Sequence, residues 1–326
     1  MDTVDGNFSN NQDDVLLATA TGAIGQVQYK IAVNVAPYGP KGMSCLASAL
    51  HTATQLTNSS TITADAPISS NGNLTNAVSG VVNGSVEATG LVTNLGTITG
   101  TTTSGAAAKE MPASTVFDTY VAQATSIPIA NLPLSGGMRE MKRSVLAPLL
   151  NSYGGGLNAN GIYLINCAGS AIKVQDLRLV GTLILLDPGA GSIISGAVLF
   201  ENQAPAFPVL LVRGNIEFNW TGTLLESGTP NINFNPVQAP YQGSSDSDST
   251  DSYTSKMRGL VYVSGALNVT ASESIEGVVV AGGAVTTSAA LSINHDSTII
   301  DAPPAGFAKQ VRPMLPVSGT WKQIVN

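Results

Sequence analysis

Charge is scarce in this 326-residue chain: Asp, Glu, Lys and Arg make up 11% of it, against about a quarter in ordinary soluble domains. The balance is acidic, at −7, and no basic stripe occurs, which excludes nucleic acid as a partner. No apolar run approaches the roughly 18 residues of a membrane helix. Aromatic residues are only 5%. Cysteine is limited to Cys45 and Cys167 and histidine to His51 and His295, with no repeated ligand spacing, so a structural zinc site is excluded. Two readings of the thiols stand side by side: two buried free cysteines, or a Cys45–Cys167 disulfide, which an exported location permits. Nucleophile elbow, phosphate loop and EF-hand are all missing. The opening MDTVDGNFSNNQDD is polar and acidic and does not have the basic-then-apolar form of a signal peptide. The expectation is an exported protein, extracellular or at the cell surface, with membrane contact only through a segment that is not part of this sequence.

What is abundant is glycine, at 34, together with small and hydroxylated residues and 43% apolar residues, a mixture unlike that of a disordered chain. It is also ordered. GLVYVSGALNVT (259–270) is echoed eighteen residues later by GVVVAGGAVTTS (277–288), with Gly259, Val261, Gly265 and Leu267 falling on Gly277, Val279, Gly283 and Val285. Stepping by six gives pairs spaced by two: Val261/Val263, Leu267/Val269, Glu273/Ile275, Val279/Ala281, Val285/Thr287 and Leu291/Ile293. All but Glu273 and Thr287 are apolar. Residues two apart share one side of a strand. Three six-residue sides therefore make one coil of eighteen residues, and each coil buries its inner side only by stacking on its neighbours. The same step from Leu56 gives Ile62, Ile68, Leu74, Gly80, Val86, Val92 and Ile98, broken only at Gly80. The fold class read from this is all-β: a β-solenoid, or three-sided parallel β-helix.

The expected organisation is an N-terminal hairpin and capping segment (1–53), a first solenoid series (54–105), a helical and loop connector (106–160), a main solenoid with inserted loops (161–300) and an extended tail (301–326) anchored by Phe307 and Trp321. The hairpin rests on strict alternation at Val27, Tyr29, Ile31, Val33 and Val35. Short helices are expected at 43–50, at 114–125 with Ser114 as N-cap, and at 138–151 up to Pro148. The last of these carries the local basic cluster Arg139, Lys142 and Arg143.

Chemistry is thin. Polysaccharide lyases and hydrolases on β-solenoids need clustered carboxylates with a basic residue nearby. Asp176, Asp187 and Glu201, with Lys173, Arg178 and Arg213, are the candidates, but they read equally as scattered surface charges. We expect no catalytic residues and no enzymatic activity. The acidic loop 241–258 gathers Asp246, Asp248 and Asp251 among hydroxyls, an oxygen-rich set of the kind calcium takes. Calcium is the one cofactor expectation.

The order of an alternating strand (ATATGAIGQVQYKIAVNV), a cysteine-bearing segment (MSCLASALHT), β-helical repeats, GLVYVSGALNVTASESIEGVVVAGGAVTT and a PPAGF tail resembles the exported β-helical domain of type IV pilus-associated, minor-pilin-like surface proteins. The resemblance implies a right-handed coil and a non-enzymatic structural or adhesive role, with other surface or pilus proteins as partners. The repeats also resemble bactofilin-type scaffolds, which implies self-association into a homopolymer. Carbohydrate is the further partner class that a β-helix suggests.

Overall fold

The structure, a computed structural model, describes residues 14–25, 27–39, 41–309 and 313–324, so positions 1–13 of the N-terminal segment lie outside the described residues. It divides into two compact units. The smaller comprises residues up to Lys41 together with those from Ala308 onward, and the larger is Gly42–Phe307.

The larger unit is a three-sided stack of parallel strands within one 24-stranded sheet. The echo that defines the repeat is a stacking register. Gly259, Val261 and Leu267 pair with Gly277, Val279 and Val285, and Gly283 N–H donates to Gly265 C=O at 2.9 Å. Val212 sits in register with Val263, and Gly265 N–H donates to Gly214 C=O, so the earlier Val-x-Gly segment is one coil further on. Inward positions from every coil form one continuous core that includes Leu56, Leu74, Tyr163, Leu183, Phe200, Phe218, Trp220, Val261 and Val279. Gly80, the single break in the first series, has a local cause. Ile62 pairs with Val82 rather than with Gly80, so this coil carries two extra residues before its strand. The following side is two residues shorter, with Ile98 paired to Val82, and Leu74 still stacks under Val92 at a spacing of eighteen.

Stacking order differs from chain order. The stack begins at 125–166, runs through the main series to Leu291–Asn294 and continues directly into the first series. There Leu50, Leu56 and Ile62 pair with Val279, Val285 and Leu291. The first series then runs on to Thr102–Ser104 at the far end. Segment 105–124 returns along the outside of one face. It is tied on by reciprocal backbone-to-amide hydrogen bonds between Asn71 and Lys109 and by a Lys109–Glu87 ion pair at 2.7 Å. Its helix Val116–Val121 starts after Thr115, not Ser114. Val116, Phe117 and Tyr120 cover outward residues of that face, among them Leu211, Leu260, Tyr262 and Val280, in a second core that also takes in Met43, Cys45, Leu46, Ile299 and Phe307.

Three expectations are corrected. Segment 138–151 is not helical: Met138–Leu146 is a strand paired in parallel with Ile172–Val180, because burying Met141 and Leu146 in the stack outweighs helix propensity. Cys45 and Cys167 form no disulfide. Cys167 belongs to the inner core and Cys45 to the outer one, and burial pushes both thiols up to about 12. Of the two tail anchors, Phe307 is buried but Trp321 is exposed.

In the smaller unit, Leu16–Ile24 pairs antiparallel with Val27–Pro37, whose other edge takes up Met314–Pro316 and Lys322–Ile324. The tail thus closes a four-stranded sheet, and the solenoid is inserted between two of its strands.

Candidate functional site

Where the rhythm is interrupted, side chains gather. Segment 221–255 leaves the stack after Ile216–Trp220 and folds over the outside of one face, burying Leu224, Phe234, Ala239 and Tyr253 against Val145, Ala197 and Leu199. Two arginines pin it. The buried Arg178 donates to Ala239 C=O at 2.6 Å, to Phe234 C=O and to Pro240 C=O, lies over the Tyr241 ring and stands 3.8 Å from Glu201. Burial lowers the Arg178 pKa, and the nearby Glu201 opposes this. Arg143 donates to the carbonyls of Pro230, Leu225 and Glu226. Neither arginine is a free surface charge.

Within this insertion the structure brings Asp246 and Asp251 together but not Asp248. The third member is Glu226, and carboxylate oxygens of the three lie within 4.8 Å of one another. Glu226 is fully buried and accepts from Phe234 N–H at 2.6 Å, Asp251 N–H at 3.1 Å and Tyr253 O–H at 3.2 Å. Asp246 accepts from the amides of Asn233 and Asn235. Asp248 is turned outward, its carboxylate held by Thr250, whose hydrogen bonds lower its pKa. Sequence reasoning missed Glu226 because it lies twenty residues before Asp246; an acid directly after the apolar strand Thr223–Leu225 is the only signal it leaves. The donor set is all oxygen, which suits a hard cation.

The other candidates are not brought together into a site. Asp187 is bound two-pronged by Arg213, at 2.7 and 3.1 Å, which holds its carboxyl below the ordinary range. Asp176, at a corner with φ of 50°, accepts from Ala197 N–H across a register shift. Glu201 joins Arg258, Glu276 and Lys256 in a ladder of ion pairs across successive coils. Lys173 pairs by backbone with Ile193 on another face.

Two further surfaces stand out. Across the joint between the main and first series, one outward residue per strand repeats through the stack: Asn268, Thr286, Thr57, Thr75 and Thr93 in register on one face, and Ser274, Ser292, Thr63 and Asn83 on another. Strand spacing sets these hydroxyls and amides about 4.8 Å apart. In the smaller unit, Val27, Tyr29 and Ile31 lie on one side of the sheet and are 53%, 49% and 47% exposed, and Trp321 is 62% exposed. Tyr29, Ile31 and Trp321, with Lys322 and Gln323, line a depression of about 460 Å³.

No family model and no curated protein sequence matches the chain. Among solved structures it is similar to the competence-associated pilin ComZ from Thermus thermophilus, at 11% identity and a TM-score of 0.43, over 97% of this chain and 82% of that one. It is also similar to an ice-binding protein from the Antarctic ascomycete Antarctomyces psychrotrophicus, at 15% identity and a TM-score of 0.25, over 78% of this chain and all of that one. Both likenesses are too distant to transfer a role.

Proposed function

We propose that this chain is a non-enzymatic structural protein of the bacterial cell surface, seated in a pilus-type assembly by its small sheet unit and displaying the solenoid as its functional body. The observation that carries the reading is the sheet's apolar side. Val27, Tyr29, Ile31 and Trp321 form a contiguous exposed patch of the kind that marks a protein interface. The insertion point adds to it, since the chain leaves the sheet after Val27–Pro37, builds the whole solenoid and re-enters the sheet at Met314–Pro316. The double variant Tyr29→Lys, Ile31→Lys is expected to be lost from the sheared surface-appendage fraction of the native cell, with the β-sheet circular dichroism unchanged. Undiminished recovery in that fraction would overturn the reading.

A second reading is favoured by the ladder Thr286–Thr57–Thr75–Thr93. A flat array of hydroxyls at fixed spacing suits a repeating hydroxylated surface, either crystalline polysaccharide or ice. Thr57→Tyr with Thr75→Tyr is expected to abolish sedimentation with insoluble polysaccharide, or inhibition of ice recrystallisation, whichever the wild type shows; a wild type inactive in both assays removes this reading. Calcium, as part of the proposal, takes a changed ligand set, Glu226, Asp246 and Asp251, and would tie the two limbs of the 221–255 insertion to each other.

A further inference from the structure

The two ends of the stack are unlike. At the end formed by Met138–Leu146 and Ile162–Asn166 the core is closed. Ile127 and Leu132 are buried in it, and Ile129 and Tyr153 pack against it. The strand edge there is partly occupied by Leu134–Ser135, which pairs antiparallel with Met138 and Arg139.

Among the described residues the other end is bare. Val92–Asn94, Thr97–Ile98 and Thr102–Ser104 each pair on one side only. Leu91 C=O, Leu95 N–H, Thr97 N–H, Thr99 N–H and Thr101 C=O are all used towards the coil behind. Backbone alternation therefore aims the N–H and C=O groups of Val92, Asn94, Ile98, Thr102 and Ser104 out of the stack. Among these, only Val92 N–H has a partner among the described residues, the Ser104 hydroxyl at 2.9 Å. The core is exposed here as well. Leu74, Val82 and Val86 are buried one coil back, whereas Val92 and Ile98 are half-buried, and Leu91 and Leu95 are 68% and 60% exposed.

Proteins guard such edges with charge, proline or bulges. Residues 88–108 contain no Asp, Glu, Lys, Arg or Pro. In a chain of net charge −7, this end is a neutral island, so two identical ends meet without repulsion.

We infer that this end is an interface for a second copy of the same chain, joined end to end about a two-fold axis. Pairing all three edges at once requires a partner with three strands at the same angles and the same coil size, and the chain's own open end is such a partner. A two-fold axis across the stack reverses the strand direction, so facing strands run antiparallel, and it pairs one face with itself while exchanging the other two. The closed end presents no such set of three open edges, since Leu134–Ser135 occupies part of one and Ile127 and Leu132 are buried in its core. The assembly therefore stops at a dimer rather than growing into the homopolymer that the repeat pattern suggested.

Sedimentation velocity of the full chain tests this. The expected mass is twice 33.2 kDa for the wild type and for the Tyr29→Lys, Ile31→Lys variant, which alters only the sheet unit. It is once that value for Leu95→Asp and for Thr102→Lys. Both substituted side chains are exposed in the monomer, so folding is retained, and unchanged circular dichroism checks that. A wild-type monomer at all concentrations, a series of higher oligomers, or a dimer that survives both end variants but dissociates on the sheet-unit change would each overturn the inference.

Discussion

Single buried polar residues give the fold its pH response. His51 takes the outward position beside Val280 on the covered face, its Nδ1 2.7 Å from the Ser69 hydroxyl, which itself donates to Ser48. Burial, helped by Lys109, lowers its pKa to about 4, whereas the unfolded chain takes up the proton near 6.5. The unfolded state therefore binds more protons between these values, and stability falls as pH drops through that window. The loss amounts to about 2 kcal/mol at pH 5 relative to pH 7. Urea midpoints at the two pH values measure it, and His51→Asn is expected to remove that slope. Glu273 acts in the opposite direction. It is the one acid in the inner apolar series, with one oxygen on the Trp220 backbone N–H and the other without a partner among the described residues. Burial raises its pKa well above 4.5, so the folded state holds the proton longer and stability declines as pH rises from there. Glu273→Gln is expected to raise the midpoint at pH 8 and to change little at pH 4. Near the acidic group, calcium is expected to raise the melting temperature of the wild type and to leave Asp246→Asn unchanged, as read by scanning calorimetry.

At the scale of strands and corners, glycine is required where coils touch. Gly277 has a φ of 152°, and a Cβ there would lie 2.0 Å from Gly259 C=O. Gly259, at φ 120°, would meet only the Asn202 side chain, at 3.2 Å. Gly277→Ala is therefore expected to cost more than Gly259→Ala, by roughly 1–3 kcal/mol, measured by chemical denaturation of both variants. This element was legible in the sequence because the glycine and valine spacing is itself the stacking register. The strand at Met138–Leu146 was not, since its Arg, Glu, Met and Lys residues favour a helix and only pairing with Ile172–Val180 makes it extended. Glu226 was hidden for a similar reason: its partners Asp246, Asp251 and Tyr253 come from the far side of an insertion whose path no periodicity describes. The solenoid was thus readable from local rhythm, and the insertion chemistry was not.

For the whole molecule, the expected separation of effects is sharp. Changes on the sheet unit should alter cellular placement without altering mass, and changes at the bare end should do the reverse. The joint between Leu291–Asn294 and Thr61–Ala64 has a consequence for biosynthesis. Residues 50–104 leave the ribosome first, yet the coil on which they stack is made more than two hundred residues later. Until then both ends of this early block are open edges, with Asp65 the one Asp, Glu, Lys or Arg in the coil that awaits its partner. Such long-range pairing makes folding slow and leaves the nascent chain prone to aggregate. The early block can reach its native place only after the late one has been translated, a constraint that a solenoid wound in simple chain order would not have.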